Sequence, residues 1–219
     1  LDVPLIGFCG APFTIASYLI EGGPTKSYNK TRGMLISEPE IWNRLMEKLA
    51  DMSIEYLSMQ ARAGANALQI FDSWVGAVNS TEYEQAIFPH MKRIISTVKS
   101  RFPNLPLAMN GVGTDHLVST WAKLPLDVIA LDWRSSIGAA KDRGVTQTVQ
   151  GNLDPAYLYG DTKTIAKVVD EILMDGVRHG KHVFNLGHGV FPEADPAKLH
   201  WLTDYVHEKS RELWARESR

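Results

Sequence analysis

The 219 residues are 44% apolar and 22% charged, enough to bury a sizeable core, and αβ barrels often use about 200–250 residues as one domain. A formal charge of −2 excludes a global field for nucleic acid or a membrane surface; no apolar run reaches the ~18 residues of a membrane span, and no basic–apolar signal peptide is visible. The single cysteine, Cys9, cannot close an internal disulfide, which fits a reducing compartment.

Val3 to Cys9 is short and apolar, as a buried strand should be. Gly10 permits a sharp turn, Pro12 suits the first turn of a helix, and Gly22 and Gly23 stop that helix. The helix N-terminus then faces the strand tip, a natural place for an anion. Thr14 and Tyr18 share one face, while Ile15 and Leu19 form a neighbouring apolar stripe, so the Thr14–Tyr18 face need not be the packed one. Gly22 to Gly33 reads as a loop carrying Lys26, Lys30 and Arg32, either a solvated surface loop or a lid for an acidic ligand. The chain has no initiator methionine and its first strand begins almost at Leu1, so upstream residues are expected.

A long helix is predicted over 39–63, a strand over 67–71, and a helix over 81–101 that Pro103 stops. Then come a strand over 107–109, a helix over 115–123, a strand over 128–131 and a helix over 136–143. A strand over 148–150, a helix over 162–179, a strand over 182–186 and a final helix over 196–216 complete the chain. No linker, repeat or low-complexity tract divides it, so one domain over 1–219 is expected.

Strands alternating with helices imply an α/β fold with a mostly parallel sheet and right-handed crossovers. An open doubly wound sheet would gain from a glycine-rich phosphate fingerprint, and neither Gly-x-Gly-x-x-Gly nor Gly-x-x-x-x-Gly-Lys-Ser/Thr is present. Polar or glycine-containing pairs follow nearly every strand instead: Cys9-Gly10, Asp72-Ser73, Asn110-Gly111, Asp132-Trp133, Gly151-Asn152 and Gly187-His188. Chemistry shared around strand ends favours a (β/α)8 TIM barrel, here incomplete, with about six of eight βα units.

Gly7 to Gly23 resembles a signature region of the uroporphyrinogen decarboxylase family. Leu68-Gln-Ile-Phe-Asp-Ser73, Ala130-Leu-Asp-Trp133, Gln150-Gly-Asn-Leu-Asp-Pro155 and Phe184-Asn-Leu-Gly-His-Gly189 are similar to later family segments, in order. The resemblance implies a barrel, a homodimer, and an enzyme that works without metal or organic cofactor. It implies removal of carbon dioxide from the four acetates of uroporphyrinogen III to give coproporphyrinogen III, in haem or chlorophyll synthesis. The family's Arg-Gln-Ala-Gly-Arg signature and the essential aspartate that follows it are not in this chain, which starts downstream of both. No catalytic residue is therefore assigned within residues 1–219, and these residues alone are expected to be inactive.

Three substrate-binding residues follow from the resemblance. Tyr18 matches the family tyrosine at the active-site mouth, where its phenol can hydrogen-bond a substrate carboxylate or the essential aspartate, against the alternative of a buried tyrosine with a satisfied hydroxyl. Ser73 follows a strand and can donate to a carboxylate, or merely cap a turn. His188 lies between two glycines that let backbone approach a ligand, and its imidazole can donate to a propionate. Arg134 sits just past a strand end, where it can reach the cleft, but a surface ion pair is its expected fate; Asp72 and Asp132 are expected to cap loops or bind backbone amides. His200 and His207 share a solvent face of the last helix, and His179 and His182 straddle a helix end and a strand without the spacing of a zinc site. Two alternatives stay open: a zinc-dependent corrinoid (cobamide) methyltransferase of the same fold, and an inactive porphyrinogen-binding fragment.

Overall fold

A computed structural model describes residues 3–23 and 25–217. The chain forms two compact units, Leu1–Ile129 and Ala130–Arg219. Each alternates strands with helices, and in neither does the strand order reverse as a doubly wound sheet requires at its switch point. This is an α/β fold with parallel strands.

In the first unit β1 (Ile6–Gly10), β2 (Ala67–Asp72) and β3 (Leu107–Gly111) lie side by side, parallel and in chain order. Gly7 faces Leu68 and Leu68 faces Leu107 across the ladders. Short strands rich in Leu, Ile and Phe suit this role. Helix α1 (Pro12–Glu21) starts directly after β1, and Gly22 ends it in the left-handed region (φ 75°). Helix α2 (Asn29–Ser37) follows, then α3 (Pro39–Arg62). The buried stripe of α3 runs Trp42, Met46, Leu49, Ala50, Ser53, Ile54 and Leu57, the three-to-four spacing of an amphipathic helix. It packs on α5 (Phe88–Arg101), which buries Met91, Ile94, Ile95 and Val98. Helix α4 (Ser80–Ala86) opens on a complete capping box, Asn79 with Glu82. Helix α6 (Val118–Trp121) buries Trp121, whose indole N–H donates to the Tyr83 hydroxyl (2.9 Å).

β4 (Val128–Ala130) meets the boundary between the units. The second unit continues with α7 (Ile137–Ala140), β5 (Thr148–Leu153), α8 (Thr162–His179), β6 (His182–Leu186) and α9 (Pro196–Glu217). β5 and β6 pair in parallel. Asp161 caps α8 by accepting from Thr164 N–H (2.7 Å), and Gly180 closes it at φ 91°. Ile165, Val169 and Leu173 face Leu202 and Val206 of α9 together with Leu153 and Leu158.

Several expectations need correction. The segment read as a loop over 22–33 includes the start of α2, entered through Tyr28 in the left-handed region (φ 51°). The helix expected over 81–101 breaks at Ile87, because Pro89 cannot supply the N–H that a continuous helix needs and its ring crowds the preceding turn. The strand expected to end at Gln150 runs on to Leu153. The helices over 115–123 and 136–143 are part α and part 3₁₀. On α1 the packed residues are Phe13, Thr14, Ala16 and Ser17; Leu19, expected on an apolar stripe, is 64% exposed.

Candidate active site

In the first unit the strand tips converge tightly. Ala11 N–H donates to Phe71 O (2.8 Å), fixing the start of α1 against the end of β2. A Cβ on Gly76 would lie 2.3 Å from Val112 O, and one on Gly111 would lie 3.2 Å from Asp72 O, so the loops after β2 and β3 touch backbone to backbone. Asp72, the last residue of β2, is fully buried; its Oδ1 accepts from the Thr14 hydroxyl (2.9 Å). Burial pushes the Asp72 carboxyl up to about 7, with the Thr14 hydroxyl and backbone acting against that shift. Trp74 N–H in turn donates to Thr14 Oγ1 (3.3 Å). The Trp74 indole meets Tyr18 edge-on, centroids 6.0 Å apart, and tilts against buried Tyr28 at 5.5 Å. One turn of α1 thus holds both the anchor, Thr14, and the presented group, Tyr18, which is 52% exposed. Half-buried Ser73 sits between the two residues that this network fixes.

In the second unit the corresponding cluster forms around the end of β4. Asn152 on β5 donates its amide to Asp132 O (2.9 Å) and also to Ser135 O. Gly151, at φ 137°, would put a Cβ 2.5 Å from Leu131 O. Gly187, after β6, would put one 2.5 Å from Trp133 N, so the Gly187–Gly189 turn runs hard against the β4 tip. His188 emerges from that turn, exposed, with its imidazole edge-on to the Trp133 indole (centroids 6.1 Å). Asp132 accepts from Arg134 N–H (2.9 Å) and Arg134 Nη1 (2.8 Å).

Comparison with known proteins places the chain in a family. Residues 1–209 match the family model described as uroporphyrinogen decarboxylase (URO-D). The chain belongs to the uroporphyrinogen decarboxylase family. It is 55% identical over 208 residues to the uroporphyrinogen decarboxylase of Geobacillus sp. (strain WCH70), covering 95% of this chain and 60% of that one. It is 54% identical over 211 residues to the enzyme of that name from Bacillus subtilis (strain 168), covering 96% and 59%. The chain therefore spans about 60% of the length of the curated relatives it matches. Among solved structures, a methyltransferase from Methanosarcina mazei superposes with a TM-score of 0.78 over 98% of this chain and 60% of that one, at 18% identity. That likeness concerns the fold alone.

Of the residues singled out from the uroporphyrinogen decarboxylase resemblance, Tyr18 and Ser73 fall in the first unit, on elements that Trp74 joins. His188 falls in the second, against Trp133. Arg134 forms the ion pair expected of it, but with a wholly buried partner rather than a surface one. Asp132 binds a backbone amide as expected, whereas Asp72 takes the Thr14 hydroxyl. Within the segment read as a loop or lid, Arg32 pairs through Nη2 with Glu82 (3.1 Å), tying α2 to α4. His182 is structural, donating from Nε2 to Gly151 O (2.7 Å), and burial lowers its pKa. His200 and His207 lie on α9.

Sequence reasoning missed Thr14, Trp74, Trp133 and Asn152 as organisers of the strand ends. Asn152 had a signal, since it sits in the Gln-Gly-Asn-Leu-Asp-Pro segment and a glycine precedes it. Thr14 and Asp72 are 58 residues apart and no local pattern joins them. Among the described residues no three His, Cys, Asp or Glu converge as a metal site. Burial also pushes the Cys9 thiol up to about 12, the reverse of what a thiolate ligand needs.

Proposed function

We propose that this chain supplies part of the substrate site of a uroporphyrinogen decarboxylase. The enzyme removes the four acetate carboxyls of uroporphyrinogen III as carbon dioxide and yields coproporphyrinogen III. The observation that carries this reading is the 54–55% identity, over 95–96% of the chain, to proteins of that name.

The chemistry needs an electron sink. Protonation of a pyrrole carbon makes the ring cationic. The bond between the acetate CH2 and its carboxyl carbon then breaks, carbon dioxide leaves, and the electron pair flows into the ring. A proton delivered to the exocyclic carbon completes the methyl group, and the ring carbon gives its own proton back. Each turn thus consumes one proton and needs no metal or organic cofactor. A carboxylate near the pyrrole N–H groups and arginines on the substrate carboxylates would serve this reaction, and the family pattern assigns both to a segment outside residues 1–219. Tyr18, Ser73 and His188 supply hydrogen bonds to the substrate's carboxylates, with Tyr18 edge-on to half-buried Trp74 and His188 edge-on to half-buried Trp133.

A zinc-dependent methyltransferase is disfavoured, because the relatives at 54–55% identity are named uroporphyrinogen decarboxylase. We further place the enzyme in the cytoplasm as a homodimer, acting on a small molecule and on neither nucleic acid nor membrane. The family resemblance is the ground for the compartment and the dimer; the charge of −2 bears on nucleic acid and membrane surfaces alone, and no described helix is long and apolar enough to cross a membrane.

The test is an anaerobic assay with uroporphyrinogen III, separating the products by number of carboxyl groups. The gene product that carries these residues is expected to accumulate hepta- to tetracarboxylate products, while residues 1–219 alone turn over negligibly. An unchanged octacarboxylate pool from the gene product, together with stoichiometric bound zinc, would overturn the assignment. Full-rate turnover by residues 1–219 would overturn the dependence on the other segment.

A further inference from the structure

The end of β4 carries a charged residue that the reaction above does not use. Asp132 has no side-chain exposure and is bound twice by Arg134, through the backbone N–H (2.9 Å) and Nη1 (2.8 Å). The guanidinium carbon also lies 3.9 Å from the centre of the Trp133 indole. Two contacts of different kinds therefore hold one flexible side chain: a carboxylate and an aromatic face. Despite this the Arg134 side chain remains 51% exposed. The same indole meets the His188 imidazole at 6.1 Å and 83°, on the turn that Gly187 presses against Trp133 N. Arg134 and His188 arrive from different strands and are fixed to one ring.

We infer that Arg134 is a specificity-determining residue, taking a tetrapyrrole carboxylate next to the one that His188 takes. The inference rests on the decarboxylase reading. Each pyrrole of uroporphyrinogen carries an acetate beside a propionate, so two neighbouring carboxylates on one ring call for two neighbouring donors. A planar guanidinium presents several N–H groups in a fixed fork, suited to a carboxylate. Its anchoring to Asp132 and Trp133 lowers the rotamer entropy lost on binding. The bland role, neutralising buried Asp132, predicts different behaviour in a double variant.

The experiment compares the full gene product with its Arg134→Gln, Arg134→Lys and Asp132→Asn/Arg134→Gln variants. Steady-state KM and kcat are measured with uroporphyrinogen III. Fluorescence titrations use uroporphyrin, with eight carboxylates, and coproporphyrin, with four. Arg134→Gln is expected to raise KM and the uroporphyrin Kd about tenfold, the effect of one lost charge-assisted hydrogen bond, with kcat changed less than about twofold. Coproporphyrin binding should weaken less, Arg134→Lys should recover part of the loss, and the double variant should remain weak. Restoration of wild-type KM in the double variant would show that Arg134 serves Asp132 alone and would overturn the inference. So would an unchanged KM in Arg134→Gln. A wild-type protein that binds uroporphyrin with Arg134-dependent affinity but releases no carbon dioxide would instead sink the decarboxylase reading and leave this site standing. Binding of neither porphyrin by wild type would end both.

Discussion

Asp72 carries a carboxyl group into a place with no solvent. Thr14 satisfies Oδ1, while Oδ2 has no hydrogen-bond partner among the described residues. An ion there is expensive, and burial moves the carboxyl from 3.8 to about 7. The charge also faces Cys9 and Tyr83, and it helps burial push both of those groups up. Because the folded value lies above the unfolded one, the folded state binds the proton more tightly. Below about pH 4 both states are protonated and there is no penalty. Between about pH 4 and 7 the unfolded chain ionises first and stability falls; above about pH 7 the loss is complete. Asp72→Asn keeps an acceptor for Thr14 and removes the titration. Its stability relative to wild type should therefore rise between pH 4.5 and 7.5, by up to the order of 3 kcal/mol. Urea unfolding at the two pH values measures this. Parallel wild-type and variant profiles would show that the carboxyl is not confined as described.

At the scale of elements, the edge of β1 is completed by a side chain. Gln60 of α3 donates from Nε2 to Phe8 O (2.9 Å) and accepts at Oε1 from Phe8 N–H (2.7 Å). Alternate residues of a strand turn their backbone groups to opposite edges. On the β2 side the partners are odd-numbered: Leu5 O accepts from Asn66 N–H, and Ala11 N–H donates to Phe71 O. Phe8 faces the other way, and the Gln60 amide supplies there the donor and acceptor that a neighbouring strand would. Replacing Gln60 with Leu should lower stability by only about 1 kcal/mol, since water can reach the half-exposed edge. It should speed hydrogen exchange at the Phe8 amide while leaving the Leu68 amide protected. Equal protection of Phe8 in both proteins would refute this role. That device was illegible in the sequence, where Gln60 is one more polar residue near the end of a long amphipathic helix. What could be read was whatever local periodicity and punctuation decide: α8 and β6 fall on their expected residues, because Asp161, Gly180 and a clear apolar stripe define them. The same is true of the strand-end positions of Ser73 and His188. Lost to reading were features set by long-range contact, such as the Thr14–Asp72 bond, or by weak local signals, such as α2, whose sequence lacks an apolar stripe.

Across the whole molecule, parallel strands are ordinarily covered on both faces, and β1 departs from that rule. Ile6 is 57% exposed and Phe8 60%, continuing from Val3 at 67% and Leu5 at 49%. Gln60 answers the backbone of Phe8 but leaves these side chains in water. An apolar segment at a strand edge, with no charge beyond Asp2 to interrupt it, is a template for pairing with another chain. The six-residue run from Val3 to Phe8 holds only one proline, at its second position, and so retains most of that capacity. Residues 1–219 taken alone are therefore expected to self-associate in the micromolar range. Sedimentation velocity over a concentration series should show a weight-average coefficient that climbs with concentration. Phe8→Lys places a charge where Phe8 is already solvent-facing, so it should leave the fold intact while moving the population toward monomer. A second charge at Ile6 should move it further. A wild-type coefficient that stays at the monomer value throughout would mean that these side chains are covered in solution and would overturn the prediction.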